Sequence, residues 1–218
     1  MPSLVTRSQI EKITIDPNVP LLVCDVDEVV VHFIKGLESY LSELSLWLDP
    51  SSFALNGNIK SVVDNTPVST PRVGKILTDF FKLKTHALEP IDGAVEVLNG
   101  LSSDMQIVML SNLPHDAYDA RIINLRNLGL NMPLVTNEGG KGPAVKALAL
   151  THESDLFFVD DIPTYLTSVG ETCPSANLIH FAHDQRFAKH APTIGFEHFK
   201  TRDWWEIKAH IDSHLDKA

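Results

Sequence analysis

Five short segments of the chain are apolar almost without interruption: LLVCD (21–25), IVMLS (107–111), PLVT (133–136), LFFVD (156–160) and LIHF (178–181). A strand with one solvated face alternates polar and apolar residues, whereas a strand covered on both faces has no reason to. Five runs of this kind predict a parallel sheet buried between two layers. The sequence between them carries helical punctuation. GAVEVLNGL (93–101) leads into the second run, and HDAYDARIINLRNLG (115–129) follows it, with Ala117, Ile122, Leu125 and Leu128 at helical spacing and Gly129 at the C′ position. KGPAVKALAL (141–150) places Pro143 in a first turn, and RDWWEIKAHIDSHLDK (202–217) reads as a final surface helix whose Trp204-Trp205 pair docks it on the core. Strand and helix alternate from about residue 90 onward, which predicts an α/β, doubly wound three-layer sandwich.

Residues 34–88 break that rhythm. IKGLESYLSELSLWL (34–48) is an amphipathic helical pattern, SSFALNGNIKS (51–61) turns around Asn56-Gly57-Asn58, and PRVGKILTDFFKLK (71–84) is a second helix. The predicted organisation is a core of residues 1–33 and 89–218 with a small, mainly helical insertion at 34–88. A chain of 218 residues has room for that and not for a second full-sized domain.

With 18 basic and 28 acidic residues the formal charge is −10, so the surface as a whole repels nucleic acid and anionic membrane, and neither is expected as a partner. The first residues lack the apolar stretch of a signal peptide and no run of 18 apolar residues occurs, so a cytoplasmic protein is expected. Cys24 and Cys173 form no CxxC pair and read as buried thiols. His180, His183 and His190 are too sparse a set for zinc.

Polar residues of chemical interest fall at the ends of three predicted strands: Asp25 and Asp27 after the first, Ser111 and Asn112 after the second, Asp160 and Asp161 after the fourth. Ligands of open α/β sheets bind at the carboxyl ends of the strands, so three separate segments deliver side chains to one place. Lys141, at the start of the 141–150 helix, adds an ammonium. Lys146 competes for that role but lies a turn and a half along the helix. Clustered carboxylates repel and need a cation, and hard oxygen ligands suit Mg²⁺. Magnesium beside a lysine and a hydroxyl suits phosphoryl chemistry. Asp25 and Asp27 have one residue between them, so on an extended chain both side chains leave the same face and can flank one phosphorus.

DVDEVV, LSN, GGKG and VDD, in that order and at strand ends, resemble the four motifs of the haloacid dehalogenase-like (HAD) hydrolase superfamily, and EPIDGAVEVL resembles the entry that often precedes its second motif. The resemblance spans roughly residues 21 to 185 and implies a Rossmann-like core with a small helical cap made by the insertion. It also implies a magnesium-dependent phosphatase acting on a small phosphorylated molecule. By that resemblance Asp25 is the nucleophile that forms an aspartyl-phosphate, and Asp27 is the general acid and then the base. Ser111, with Asn112 beside it, binds a phosphoryl oxygen, and Lys141 offsets the charges of nucleophile and phosphate. Asp161, with Asp25, Asp160 and the backbone carbonyl of Asp27, completes the metal site. The chain departs from the family in carrying Glu28-Val29 where many members have Gly-Thr, which adds a side chain and a charge near the entrance. Arg72 and Lys75 are candidates for reaching substrate from the insertion. A phosphomutase, a protein phosphatase and a non-catalytic binding module on this fold are the alternatives.

Overall fold

The computed structural model describes residues 1–215. Helix α1 (Leu4–Ile10) precedes β1 (Leu21–Cys24). Next come α2 (Phe33–Glu43), an antiparallel hairpin of β2 (Leu46–Leu48) and β3 (Ile59–Ser61), and α3 (Thr70–Lys84). The alternating part follows: α4 (Ala94–Leu101), β4 (Gln106–Ser111), α5 (Tyr118–Asn127), β5 (Leu134–Thr136), α6 (Gly142–Leu148), β6 (Leu156–Asp160), α7 (Pro163–Thr172) and β7 (Asn177–Phe181). The short α8 (Gln185–Ala188), β8 (Phe199–Thr201) and α9 (Trp204–Leu215) close the described chain. Asp216 and Lys217, the last residues of the expected final helix, lie outside the described residues. No described helix is long and apolar enough to cross a membrane.

Six strands form one parallel sheet in the order β5-β4-β1-β6-β7-β8. Counted along the chain, the sheet strands run 3-2-1-4-5-6, with the reversal of direction between β1 and β6. That gap is the topological switch point at which doubly wound sheets open a crevice beyond the strand ends.

Successive strand residues point into two separate cores. Leu22 and Cys24 of β1 join Met109, Phe157 and Phe181 under α4, α5 and α9, whereas Leu21 and Val23 join Val108, Leu110 and Phe158 under α6 and α7. Both faces are therefore apolar, which is why the strand runs do not alternate. Trp204 is fully buried and donates from Nε1 to the Val29 carbonyl at 2.8 Å, but its neighbour Trp205 is 57% exposed, so one ring of the expected pair docks α9. Cys24 is buried as expected and Cys173 only half-buried.

The insertion departs from the expected pattern in one respect. The helix predicted over 34–48 ends at Glu43, because Ser45 takes a left-handed φ of 57° and the chain turns into β2. Edge strand β8 had no counterpart in the sequence reading. At the opposite edge α1 covers β5: Thr6 Oγ1 donates to the Thr136 carbonyl at 2.8 Å, and Gln9 Oε1 accepts from the Thr136 amide at 2.8 Å. That satisfies backbone groups an open edge would expose.

Candidate active site

Asp25 leaves the end of β1 and is 5% exposed. Beyond it DVDEVV folds into a tight turn: the amides of Val30 and Val31 both donate to the Val26 carbonyl, at 2.8 and 3.0 Å. Glu28 occupies the left-handed region at φ 60°, a conformation that glycine adopts without strain. What holds it is its own carboxylate, whose Oε1 accepts from the Ile34 amide at 2.6 Å and caps the first turn of α2. Burial pushes the Glu28 carboxyl up to about 7, with that amide pulling the other way.

Lys141 stands at the entry to α6 with no exposed surface, and its Nζ hydrogen-bonds Asp25 Oδ1 and, at 2.7 Å, Asp160 Oδ2. Burial alone would lower the ammonium, but Asp160 and Asp25 outweigh it and hold Lys141 above its ordinary value. The glycines before and after Lys141 make this approach possible. A Cβ on Gly142 would lie 2.0 Å from the Ser168 carbonyl oxygen, so α6 packs its first turn against the backbone of α7. Asn137 and Asn112 both donate to the Gly139 carbonyl, at 3.2 and 2.8 Å, and fix the loop ahead of the lysine. The Tyr165 ring lies 5.1 Å from Lys141 Nζ.

Asp160 is fully buried, and its second oxygen accepts from the Ile162 amide at 2.8 Å. Asp161 is half-buried. Oxygen atoms of Asp25, Asp160 and Asp161 all lie within 4.8 Å of one another. Burial pushes Asp25 up to about 7 despite the lysine, and burial with repulsion from Asp160, Asp25 and Glu28 holds Asp161 well above its ordinary value. Three crowded acids share one ammonium, so the set lacks positive charge, and its donors are all carboxylate oxygens. Such a set fits a hard divalent cation such as Mg²⁺.

The carboxylate of Asp27 stands outside this group. Its Oδ1 accepts from Nη2 of Arg121 on α5 and its Oδ2 from Ser111 Oγ at 3.1 Å. Arg121 has no exposed surface; its Nη1 donates to Asn124 Oδ1 at 3.1 Å, and Asn124 is tied to the Leu88 carbonyl at 2.9 Å. The sequence reading did not find Arg121. A signal existed, since the arginine lies midway between Ala117 and Leu125 at i,i+4 spacing, on the stripe that should have been apolar.

Asp25, Asp27, Ser111, Asn112, Lys141, Asp160 and Asp161 gather beyond the carboxyl ends of β1, β4 and β6. A cavity of about 330 Å³ opens above them, and Asp25, Asp27, Glu28, Asn112 and Asp161 reach it. Ser111 and Lys141 are buried beneath and do not line it. Arg72 and Lys75 do not line it either; Lys75 pairs with Asp79 on the surface. Lys146, the competitor of Lys141, is exposed.

No family model matches the sequence, and no curated protein does. Among solved structures, a HAD family hydrolase from Deinococcus radiodurans R1 with bound phosphate and sodium is similar at a TM-score of 0.60 and 16% identity, over 91% of this chain and 97% of that one. A haloacid dehalogenase-like family protein from Streptococcus pneumoniae gives 0.58 and 12%, over 89% and 99%. A magnesium-bound HAD-hydrolase candidate from Bacillus subtilis gives 0.56 and 13%, over 89% and 99%. The chain has the fold of the HAD-like hydrolases, as the four strand-end motifs led one to expect.

Proposed function

We propose that the protein is a magnesium-dependent phosphohydrolase that cleaves a small-molecule phosphomonoester through an aspartyl-phosphate on Asp25. The observation that carries this reading is the floor of the cavity, where Lys141 is bound to both Asp25 and Asp160 and Asp161 completes a cluster of carboxylate oxygens at the sheet's switch point. The phosphate bound by the D. radiodurans protein and the magnesium bound by the B. subtilis protein support it by analogy of fold. Residues 34–88 serve as the cap over a core of residues 1–33 and 89–218.

Asp25, Asp160 and Asp161 would hold the magnesium, which when bound supplies positive charge against the carboxylates and the phosphoryl oxygens. An Asp25 oxygen attacks phosphorus as the bond to the ester oxygen breaks, and the leaving alkoxide takes a proton from the Asp27 carboxyl. Water then attacks phosphorus, Asp27 accepts its proton, and the bond from phosphorus to Asp25 breaks to release inorganic phosphate. Arg121 and Ser111 fix the Asp27 carboxyl for both transfers, Lys141 holds Asp25 in place and offsets its charge, and Asn112 faces the phosphate from the cavity wall.

The test is phosphate release from p-nitrophenyl phosphate with Mg²⁺ and with EDTA, for the wild type and Asp25→Asn. Release that needs Mg²⁺ and disappears in a folded Asp25→Asn protein is the expected result. Release undiminished in Asp25→Asn contradicts the reading.

A further inference from the structure

The walls of the cavity above the acids are predominantly apolar. Phe33, the last core residue before the insertion, and the insertion's Ile34, Phe53, Leu55 and Phe81 are all partly buried and all keep a face toward the cavity. Opposite them stand Ile162, Tyr165, Phe181 and Phe187, and the Tyr165 hydroxyl is already engaged by Asn112 Nδ2 at 2.9 Å. Among the described residues no lysine or arginine lines the cavity, so a second phosphate or a carboxylate on the substrate would meet five acids and no fixed positive charge, with His183 and Asn112 as the polar side chains beside them. A sugar would bring several hydroxyls to walls that offer few partners, and each one stripped of water without replacement weakens binding. The acids of the upper wall are occupied as well. Asp184 is already paired with Arg186 at 2.7 Å, and Glu28 gives one of its two oxygens to the Ile34 amide, which weakens both as partners for an ammonium. A space of roughly 150 Å³ holds a benzene ring, so about 330 Å³ holds a ring together with a phosphoryl group.

Building on the proposed phosphohydrolase activity, we infer that the substrate is the phosphomonoester of an uncharged, apolar alcohol of about ring size, its hydrocarbon lying between the insertion's Phe53, Leu55 and Phe81 and the core's Phe33, Tyr165 and Phe187. Apolar surface removed from water on both sides of the ligand supplies the selectivity.

The test compares benzyl phosphate, glucose 6-phosphate and phosphocholine, all esters of primary alcohols, so that leaving-group chemistry is similar. The expected kcat/KM for benzyl phosphate exceeds that for either of the others by at least about a hundredfold. Phe53→Ser and Leu55→Ser, in the hairpin loop and away from the reacting groups, lower it for benzyl phosphate by about tenfold each and narrow its advantage over glucose 6-phosphate. Calorimetric binding of the same three esters to Asp25→Asn separates this inference from the activity beneath it. Preferential binding of benzyl phosphate without wild-type turnover upholds the apolar site and overturns the hydrolase. Turnover of glucose 6-phosphate or phosphocholine as efficient as that of benzyl phosphate, or binding with no preference among the three, overturns the inference.

Discussion

Arg121 and Asp27, 94 residues apart in sequence, form an ion pair in which the guanidinium is wholly buried and the carboxylate side chain is 20% exposed. A buried pair of this kind contributes little net stability over an apolar pair of the same shape, yet losing one partner strands the other charge. Arg121→Met is therefore expected to cost about 3–5 kcal/mol in urea denaturation, and Arg121→Met with Asp27→Asn to cost less than the single change. The Arg186–Glu38 pair, 48% and 33% exposed, provides the contrast: Glu38→Ala costs less than about 1 kcal/mol.

Glu28 carries two opposed contributions, a left-handed backbone that disfavours any residue with a Cβ and a side-chain bond that caps α2. Removing the cap while keeping the Cβ, as Glu28→Ala does, loses the side-chain bond and retains the strain. Glu28→Gly loses the cap and relieves the strain, so it should be more stable than Glu28→Ala by about 1 kcal/mol. Thermal melts of the two variants check the order. The reverse order would mean that the turn does not hold φ at 60°.

Gly139 and Gly142 flank the same lysine and have different reasons to be glycine. At Gly139 the backbone has φ 73° but a Cβ would meet open space, so Gly139→Ala costs about 1 kcal/mol of conformational strain. At Gly142 a Cβ collides with the α7 backbone, which cannot rotate away as a side chain would. Gly142→Ala should displace α6 together with Lys141, cost more than about 3 kcal/mol, and abolish phosphate release. Stability and activity assays on the two variants side by side separate the causes.

His180 is 3% exposed; its Nε2 faces the Asp161 carbonyl at 3.2 Å, and its Nδ1 is buried without a partner. Burial, then the nearby Lys200, push the imidazole down to about 4, against about 6.5 in an unfolded chain. The folded state thus binds the proton more weakly than the unfolded one, and the stability this gives is present above about pH 6.5 and lost as the pH falls toward 4. Without divalent cations, unfolding free energy should fall by about 1–2 kcal/mol between pH 7 and pH 5 on account of this group, and His180→Phe should flatten that slope. An unchanged slope would mean that His180 is not held neutral.

Much of this was legible in the sequence because the relevant forces act locally. Strands covered on both faces are continuously apolar, and acids that end such strands have few structural reasons to be there, so β1, β4 and β6 and the residues Asp25, Asp27, Ser111, Asp160 and Asp161 could be placed by position alone. Arg121 escaped because its partner lies on another segment and helical periodicity reports only that a face is buried. Asn137 and Tyr165 escaped for the same reason, their roles being set by the loop around Gly139. The β2–β3 hairpin was hidden in a run, LSLWL, whose leucines fit either period, and Ser45 rather than a glycine makes the turn. β8 reads FKT, with Lys200 at its centre, so it lacks the continuous apolar run that exposed the equally short edge strand β5.

The most direct test of the central claim is to mix the protein with Mg²⁺ and a slowly hydrolysed phosphomonoester, quench in acid, and examine the peptide that contains Asp25 by mass spectrometry. A mass gain of one HPO₃ on Asp25, absent in Asp25→Asn and absent without Mg²⁺, is the predicted result. Continued phosphate release with no phosphorylated peptide, or with the phosphate on another residue, would contradict the account.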